Sequence, residues 1–204
     1  MEKENPYDSV AEWYEKNFGG RENRYLGKFA GLLPRKARVL DAGCGVGDDT
    51  KFLLEKGFKV VSIVSSKSML TIAREKLPRH EFLLMDMRKL DYPAESFDGV
   101  VSAFTLHHVG KKEALGLVRK LRRMLKTDGI IYLALQEGKG KIKRTVNWNP
   151  KHENIFWVNM YTLQEIKRLL NSVGLTIIFK TKANPISKKA MQNKKLYVIA
   201  RKVK

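Results

Sequence analysis

The residues best suited to chemistry in this sequence lie in one turn at positions 39–47, which read Val-Leu-Asp-Ala-Gly-Cys-Gly-Val-Gly. The three alternating glycines let the backbone pass close to a ligand, where any Cβ atom would obstruct it. Asp41, at the end of the apolar strand, offers a carboxylate to a polar ligand group. A helix predicted from about Asp48 directs its unpaired amides to the same place. The turn therefore predicts a ligand site, because a purely structural turn would leave these glycines unused.

The spacing of the turn narrows the class of ligand. It reads Asp-x-Gly-x-Gly-x-Gly, which differs from the dinucleotide pattern Gly-x-Gly-x-x-Gly. The Walker pattern needs Gly-Lys followed by Ser or Thr, which this turn lacks. The segments beyond the turn must therefore decide what it binds.

Those segments extend a resemblance to a known family beyond the glycine turn. Together with the turn, residues 60–77, 82–109 and 129–135 resemble the class I S-adenosylmethionine-dependent methyltransferases in their order along the chain, over roughly residues 25–180. The resemblance implies S-adenosyl-L-methionine as cofactor and methyl transfer as activity. It also implies an α/β fold of the Rossmann-like methyltransferase type. Such a fold is doubly wound around a mostly parallel seven-stranded sheet with a reversed edge strand.

The resemblance also assigns parts of the cofactor to particular positions. Asp41 and the glycines would surround its methionine end, and Asp86 would accept the adenine amino group, although an acid after a strand is also a common helix cap. Ala103 and Phe104 would line the pocket near the sulfonium, and Tyr14 would close it. The full set of expected cofactor contacts is Asp41, Gly43, Gly45, Gly47, Val64, Ser65, Asp86, Met87, Ala103, Phe104 and Tyr14.

One position departs from the family. The family usually has an Asp or Glu at the end of the second strand to hold both ribose hydroxyls, and the alignment puts that acid at Val64, which Ser65 follows. Charge-assisted hydrogen bonds contribute roughly 1.5–3 kcal/mol each. Their loss would weaken cofactor binding by about tenfold to a hundredfold unless another group compensates.

The candidate catalytic residues are His107 and Tyr161. His107 begins a His-His pair that resembles the family's Leu-His-His stretch, and a histidine is suited to act as a general base near neutral pH. The alternative is that His108 packs beneath the cofactor while His107 points elsewhere. Tyr161, like Tyr14, is a candidate for closing the pocket.

The chain is expected to be one domain over residues 1–204, in which strands and helices alternate as in a parallel sheet covered on both faces. Strands are predicted at 37–42, 58–64, 81–85, 97–103, 129–136, 175–181 and 194–201. Helices are predicted at 48–56, 67–77, 111–126 and 162–173, preceded by one or two helices within 8–33. An N-terminal helical region (1–36) and an aromatic, basic insert (137–161) are expected to cover the pocket at the carboxyl ends of the strands.

Composition sets further expectations. A single cysteine, Cys44, and the absence of a secretory pattern at the N-terminus favour a reduced, cytoplasmic setting. No apolar run reaches the ~20 residues of a membrane span. Four scattered histidines and one cysteine give no zinc-like spacing, so we expect no metal.

Net charge points to a partner. The chain carries 40 basic and 21 acidic residues, a net charge of +19, and residues 166–204 hold eleven Lys or Arg and no acid. Such a field attracts polyanions, which favours RNA, and tRNA most of all. A solvated lysine-rich surface is the bland alternative. Three functions therefore remain open: methylation of RNA, methylation of a small molecule, and a methyltransferase-like subunit that binds RNA or protein without catalysis.

Overall fold

The computed structural model describes residues 5–149, 152–186 and 190–203. The strands are β1 (Arg38–Ala42), β2 (Lys59–Val64), β3 (Phe82–Leu84), β4 (Phe97–Ala103), β5 (Leu125–Gln136), β6 (Lys141–Asn149), β7 (His152–Asn159), β8 (Leu175–Ala183) and β9 (Lys195–Lys202). The helices are α1 (Ala11–Phe18), α2 (Leu26–Ala30), α3 (Asp48–Glu55), α4 (Lys67–Lys76), α5 (Lys111–Met124) and α6 (Leu163–Asn171).

Seven strands form one sheet in the order β3-β2-β1-β4-β5-β9-β8, which confirms the expected fold class. The first five pair in parallel. The reversed strand is β9, which runs antiparallel to both of its neighbours, β5 and the edge strand β8. The order changes direction between β1 and β4, and ligands of open α/β sheets bind at the carboxyl ends of the strands at such a point.

The helices pack where their apolar stripes require. In α5, Ala114, Leu117, Val118 and Leu121 are buried at the spacing of one helix face, which leaves the basic side chains on the other. Helix α6 begins at a capping box formed by Thr162 and Glu165. Buried clusters lie on both faces of the sheet, so its central strands are mostly apolar.

The segment predicted as an insert has a structure that the sequence patterns did not predict. Within 137–161, β6 and β7 pair antiparallel as a separate two-stranded sheet. Residues 150 and 151, between the two strands, lie outside the described part of the chain. The N-terminal region contains α1 and α2, as predicted. In the described ranges, no helix combines the length and the apolar character that crossing a membrane requires.

Candidate functional site

The glycine turn has the backbone that its sequence predicts. Gly43, Gly45 and Gly47 have φ angles of +106°, +54° and +87°, a region that side chains with a Cβ disfavour. A Cβ on Gly43 would lie 2.4 Å from the side chain of Thr105, which follows β4. A Cβ on Gly45 would meet only Met69 Sδ, at 3.8 Å. The turn is therefore packed against β4 at Gly43 and open at Gly45.

Two carboxylates are buried next to this turn. Asp41 is 1% exposed, and Thr50 Oγ1 donates to its Oδ2 over 2.7 Å. Asp49 is 5% exposed and accepts hydrogen bonds of 2.7 Å from the backbone N and the Nδ2 of Asn23. Burial, with the charge of Asp49 second, raises the pKa of Asp41. Burial also raises the pKa of Asp49. Among the described residues neither acid forms an ion pair, so the pair favours a positively charged ligand.

The Asp41 side chain faces inward more than the sequence suggested. Thr50 Oγ1 also contacts Ser62 Oγ at 2.9 Å, and Ser62 Oγ contacts His80 Nε2 at 3.0 Å. Because the Thr50 proton goes to Asp41, the chain of hydrogen bonds runs from His80 through both hydroxyls to the carboxylate. Asp41 thus holds the turn in place from beneath. Thr50 is the partner of Asp41, and Asn23 is the partner of Asp49. Neither residue belongs to a sequence motif, so sequence reasoning did not identify them.

The end of β2 is contacted by an acid from a distant part of the chain. Val64 is buried in an apolar cluster with Cys44 and Met69, and Ser65 is exposed. Asp8, from the N-terminal segment, accepts hydrogen bonds at its Oδ1 from Ser66 Oγ (2.7 Å) and the backbone N of Ser68 (3.0 Å). Both bonds fall on Oδ1, which leaves Oδ2 without a hydrogen bond to any described residue. Sequence reasoning missed Asp8, because nothing local connects it to β2.

At the end of β3, Asp86 forms the helix cap that the sequence analysis gave as the alternative to an adenine contact. Asp86 caps the short 3-10 helix Met87–Lys89 by accepting from the backbone N of Arg88 over 2.8 Å. Its carboxylate also pairs with the Arg88 guanidinium at 2.6 Å, and the side-chain hydrogen bond lowers the pKa of Asp86. Met87 is buried. The cap is therefore formed, and the adenine contact stays a prediction.

The end of β4 approaches the glycine turn through its loop. Ala103 and Phe104 are partly buried against the core cluster on one face of the sheet. Phe104 has a φ of +52°, an unusual backbone for a side chain with a Cβ. Thr105 Oγ1 donates to the carbonyl of Ala103 over 3.0 Å and lies 3.4 Å from that of Gly43. The tight turn thus brings the predicted sulfonium-lining residues beside the glycines.

The two histidines contact each other and the N-terminal segment. His107 Nε2 and His108 Nε2 are 3.0 Å apart, and the Tyr7 hydroxyl lies 2.7 Å from His108 Nε2. His107 is 3% exposed, and its Nδ1 is buried without a hydrogen-bond partner among the described residues. Burial lowers the pKa of both rings, that of His108 to about 4. Both are neutral at pH 7, so His107 has a free nitrogen but is a weak base.

The two tyrosines occupy different places. Tyr14 packs against the cluster that contains Cys44 and Val64, and burial with the charge of Asp49 raises its pKa to about 12. Tyr161 belongs to the large cluster beneath α5, and its buried hydroxyl has no hydrogen-bond partner among the described residues. The structure therefore brings Tyr14 to the glycine turn. No hydrogen bond or ring contact joins Tyr161 to His107 in the described ranges.

The β6–β7 hairpin lies against the histidine pair. His108 Nδ1 is 3.4 Å from the carbonyl oxygen of Trp157, and Asn159 Nδ2 donates to the carbonyl of His107 over 3.1 Å. Trp157 is 51% exposed, with the Lys141 ammonium 4.5 Å from its ring centroid. An exposed tryptophan next to a lysine thus stands beside the site. No group of three or more His, Cys, Asp or Glu in the described ranges could hold a metal ion.

Comparison with known proteins agrees with this geometry. Residues 39–129 match the family model described as a methyltransferase domain. An uncharacterized methyltransferase from Alkaliphilus oremlandii is 33% identical over 132 residues, which cover 64% of this chain and 57% of the relative. A methyltransferase from Bacillus subtilis, YqeM, is 32% identical over 62% of this chain and 47% of its own length. The chain therefore spans about half the length of these curated relatives.

Solved structures share the fold. A SAM-dependent methyltransferase from Methanosarcina mazei has a TM-score of 0.76 at 20% identity, over 86% of this chain and 97% of that one. A 1,6-didemethyltoxoflavin N1-methyltransferase from Burkholderia thailandensis, with bound S-adenosylhomocysteine, has a TM-score of 0.68 at 22% identity, over 98% and 87% of the two chains. This chain is therefore similar to methyltransferases in sequence over residues 39–129 and shares the fold of S-adenosylmethionine-dependent methyltransferases.

The residues present fit S-adenosylmethionine, the cofactor of the methyltransferases that share this fold. S-adenosylmethionine carries an ammonium and a sulfonium, and the buried carboxyls of Asp41 and Asp49 have no cation beside them among the described residues. Because burial raises the pKa of both groups, a positively charged ligand beside them would favour their ionised form. The bare backbone at Gly45 leaves space that a Cβ would otherwise take. When bound, the cofactor supplies a methyl group on a positively charged sulfur.

Proposed function

We propose that this chain binds S-adenosylmethionine at the glycine turn and transfers its methyl group to RNA, with tRNA as the favoured acceptor. Methyl transfer from a sulfonium is an in-line displacement in which the protein mainly aligns the acceptor and excludes water. The cleft between β1 and β4 supplies the charge and the bare backbone for the cofactor. Tyr14 closes it from the N-terminal side, as the region 1–36 is expected to do.

Asp8 takes the place of the family's ribose acid in this proposal. Its free Oδ2 stands at the start of α4, close in the chain to the valine that replaces the acid. Val64 then serves as an apolar wall, and Ser65, which accepts a 2.9 Å hydrogen bond from Asn5 Nδ2, anchors the same segment. An acid at this strand end therefore favours an active methyltransferase over a methyltransferase-like subunit without catalysis.

The exposed side chain of Trp157 is the observation that favours RNA as the acceptor. Lys143 lies directly opposite it in the hairpin register, and Lys141 stands over its ring, so two cations flank one aromatic surface. Unpaired bases stack on such surfaces while lysines contact the phosphates. The hairpin contacts His108, which supports an RNA-binding surface beside the proposed methyl site.

Transfer of labelled methyl groups tests the proposal. The chain is incubated with methyl-labelled cofactor and either total RNA or a small-molecule extract. We expect label in RNA, and Trp157→Ala to lower RNA methylation roughly tenfold, since stacking contributes about 1–3 kcal/mol per base. Ile178→Ala, which removes an exposed apolar side chain on the edge strand β8, is the matched control and should behave as the original chain. RNA labelling that Trp157→Ala leaves unchanged would contradict the role of the hairpin.

A small-molecule acceptor is the second candidate. Tyr7 packs edge-on against Phe156 and His108, with ring centroids 4.8 Å and 5.3 Å away, so an aromatic wall closes one side of the site. The Burkholderia neighbour is an N1-methyltransferase of 1,6-didemethyltoxoflavin. Label that enters only the small-molecule extract would establish this alternative.

A binding subunit without catalysis is the third candidate. The buried, apolar Val64 at the ribose position supports it. RNA binding combined with no detectable cofactor binding at millimolar concentration would favour this candidate over both enzymes.

A further inference from the structure

A basic groove lies at the end of the sheet opposite to the glycine turn. Its volume is about 710 Å³, and Arg119, Arg122, Arg123, Lys202 and Glu95 contribute its charged lining. Glu95 precedes β4, and Lys202 ends the antiparallel β9, so the groove lies at the amino ends of the parallel strands. With four cations and one carboxylate, its lining carries a net positive charge that would attract anions.

The groove is held in shape by contacts that leave cationic donors available. Lys202 Nζ donates to the carbonyl of Leu125 over 2.6 Å and lies 3.3 Å from Glu95 Oε1. Arg122 packs against the turn at Gly174, where a Cβ would lie 3.3 Å from its guanidinium. Its Nε is buried and has no hydrogen-bond partner among the described residues. The Arg122 side chain as a whole is half-buried, and its Nη2 lies 3.4 Å from the carbonyl oxygen of Val203, so its charge is available to an oxyanion in the groove.

The remaining arginines extend the groove along α5. The Arg119 side chain is exposed and has no hydrogen bond or ion pair within the described ranges. Arg123 pairs with Asp91, which is itself 89% exposed. Lys112, Arg119 and Arg123 lie on one face of α5. Lys112 and Arg123 are eleven residues apart in the helix, so this stripe runs about 17 Å. It begins next to the histidine pair at the methyl site and ends in the groove.

We propose that this groove and the α5 stripe bind the phosphate backbone of RNA whose target base lies at the glycine-turn end of the sheet. The inference rests on the proposed RNA acceptor for the identity of the polyanion. A separation of about 20 Å between the groove and the methyl site, estimated from the seven residues of β4, suits a folded RNA better than a single phosphorylated metabolite. The distant contact would hold the RNA while its base enters the site.

Binding of unfractionated tRNA, measured by fluorescence anisotropy without cofactor over a range of salt, tests the groove. The double variant Arg119→Gln with Arg123→Gln should weaken binding roughly tenfold at 0.1 M salt and reduce the salt slope by between one and two. The control pair Lys56→Gln with Lys59→Gln removes the same charge from exposed positions near β2 and should change affinity less than about twofold. Thermal unfolding and cofactor binding of both variants check that the fold is intact.

Two results would overturn the inference. Equal weakening by both pairs would show that tRNA binding depends on net charge alone. Unchanged binding by the groove variant would show that the groove does not bind RNA. Neither result would refute methyl transfer to RNA. Conversely, groove-dependent tRNA binding without any methyl transfer would refute the proposed activity and leave the groove standing.

Discussion

The carboxylate of Asp8 accepts a 2.7 Å hydrogen bond from Ser66 Oγ, although 58 residues separate the two in the chain. This contact brings an acid to the end of β2. The resemblance predicts a ribose-binding carboxylate at that strand end, where this chain has Val64. The N-terminal segment therefore carries part of the candidate site. Tyr7, in the same segment, reaches His108 at the end of the neighbouring β4 loop.

Substitution of Asp8 tests whether its charge serves the cofactor. Asp8→Asn retains an oxygen that accepts from Ser66 and Ser68, so the segment stays in place while the charge is lost. We expect this variant to weaken S-adenosylmethionine binding roughly tenfold, in line with one charge-assisted hydrogen bond, when measured by calorimetry. Glu12→Gln, an exposed change of the same charge on α1, is the control. Equal affinities for all three proteins would show that Asp8 only anchors the segment.

Alanine at the glycines should separate backbone strain from steric conflict. Gly45→Ala and Gly57→Ala place a Cβ on positive φ angles with no severe contact, so each should lower the free energy of unfolding by about 1–2 kcal/mol. Gly43→Ala adds a conflict with Thr105 and should lose a further 1–3 kcal/mol or so. Urea unfolding measures all three. A Gly43→Ala loss equal to the other two would contradict the close packing of Thr105 on the turn.

The raised pKa of Asp41, about 8, makes stability depend on pH. The folded chain holds this proton to a higher pH than the unfolded chain, whose carboxyl has a pKa of about 4. Stability from this group therefore falls as pH rises toward 8. Between pH 7 and 8 the histidines are mostly neutral in both states, so we expect a loss of up to about 1.4 kcal/mol in urea unfolding.

The variant Asp41→Asn removes that titration. Its free energy of unfolding should change less between pH 7 and 8 than that of the original chain, while Asp91→Asn, at an 89% exposed side chain, should leave the pH dependence unaltered. A pH dependence that persists in Asp41→Asn would assign it to another group.

The sheet and the glycine turn were predictable because their signals are local. A buried strand such as β2 can be recognised from its own run of β-branched residues. The alternating glycines Gly43, Gly45 and Gly47 likewise indicate an unusual backbone without reference to the rest of the chain. The β6–β7 hairpin was missed because its residues mix basic and aromatic types without a clear alternation or a recognisable turn. Asp8 and Asn23 were missed because their partners, Ser66 and Asp49, are distant in sequence, and only the fold brings them together.

The lowered pKa of His108 predicts its titration directly. Burial lowers this pKa to about 4, so the ring should stay neutral at pH 5, with its NMR signals assigned by comparison with His108→Gln. The unfolded chain binds this proton near pH 6.5, so the stability contributed by neutral His108 is complete above that pH and is lost as pH falls toward 4. A titration midpoint near 6.5 would mean that the ring is open to water.

Calorimetric titration of the chain with S-adenosylmethionine, set beside Gly45→Ala and Gly57→Ala, tests the central claim most directly. The two variants carry the same backbone strain, but only the first places a Cβ at the cofactor turn. We predict saturable binding for the original chain and for Gly57→Ala, and at least a tenfold loss for Gly45→Ala. Absence of binding to the original chain, or equal binding by all three, would contradict a cofactor site at the glycine turn.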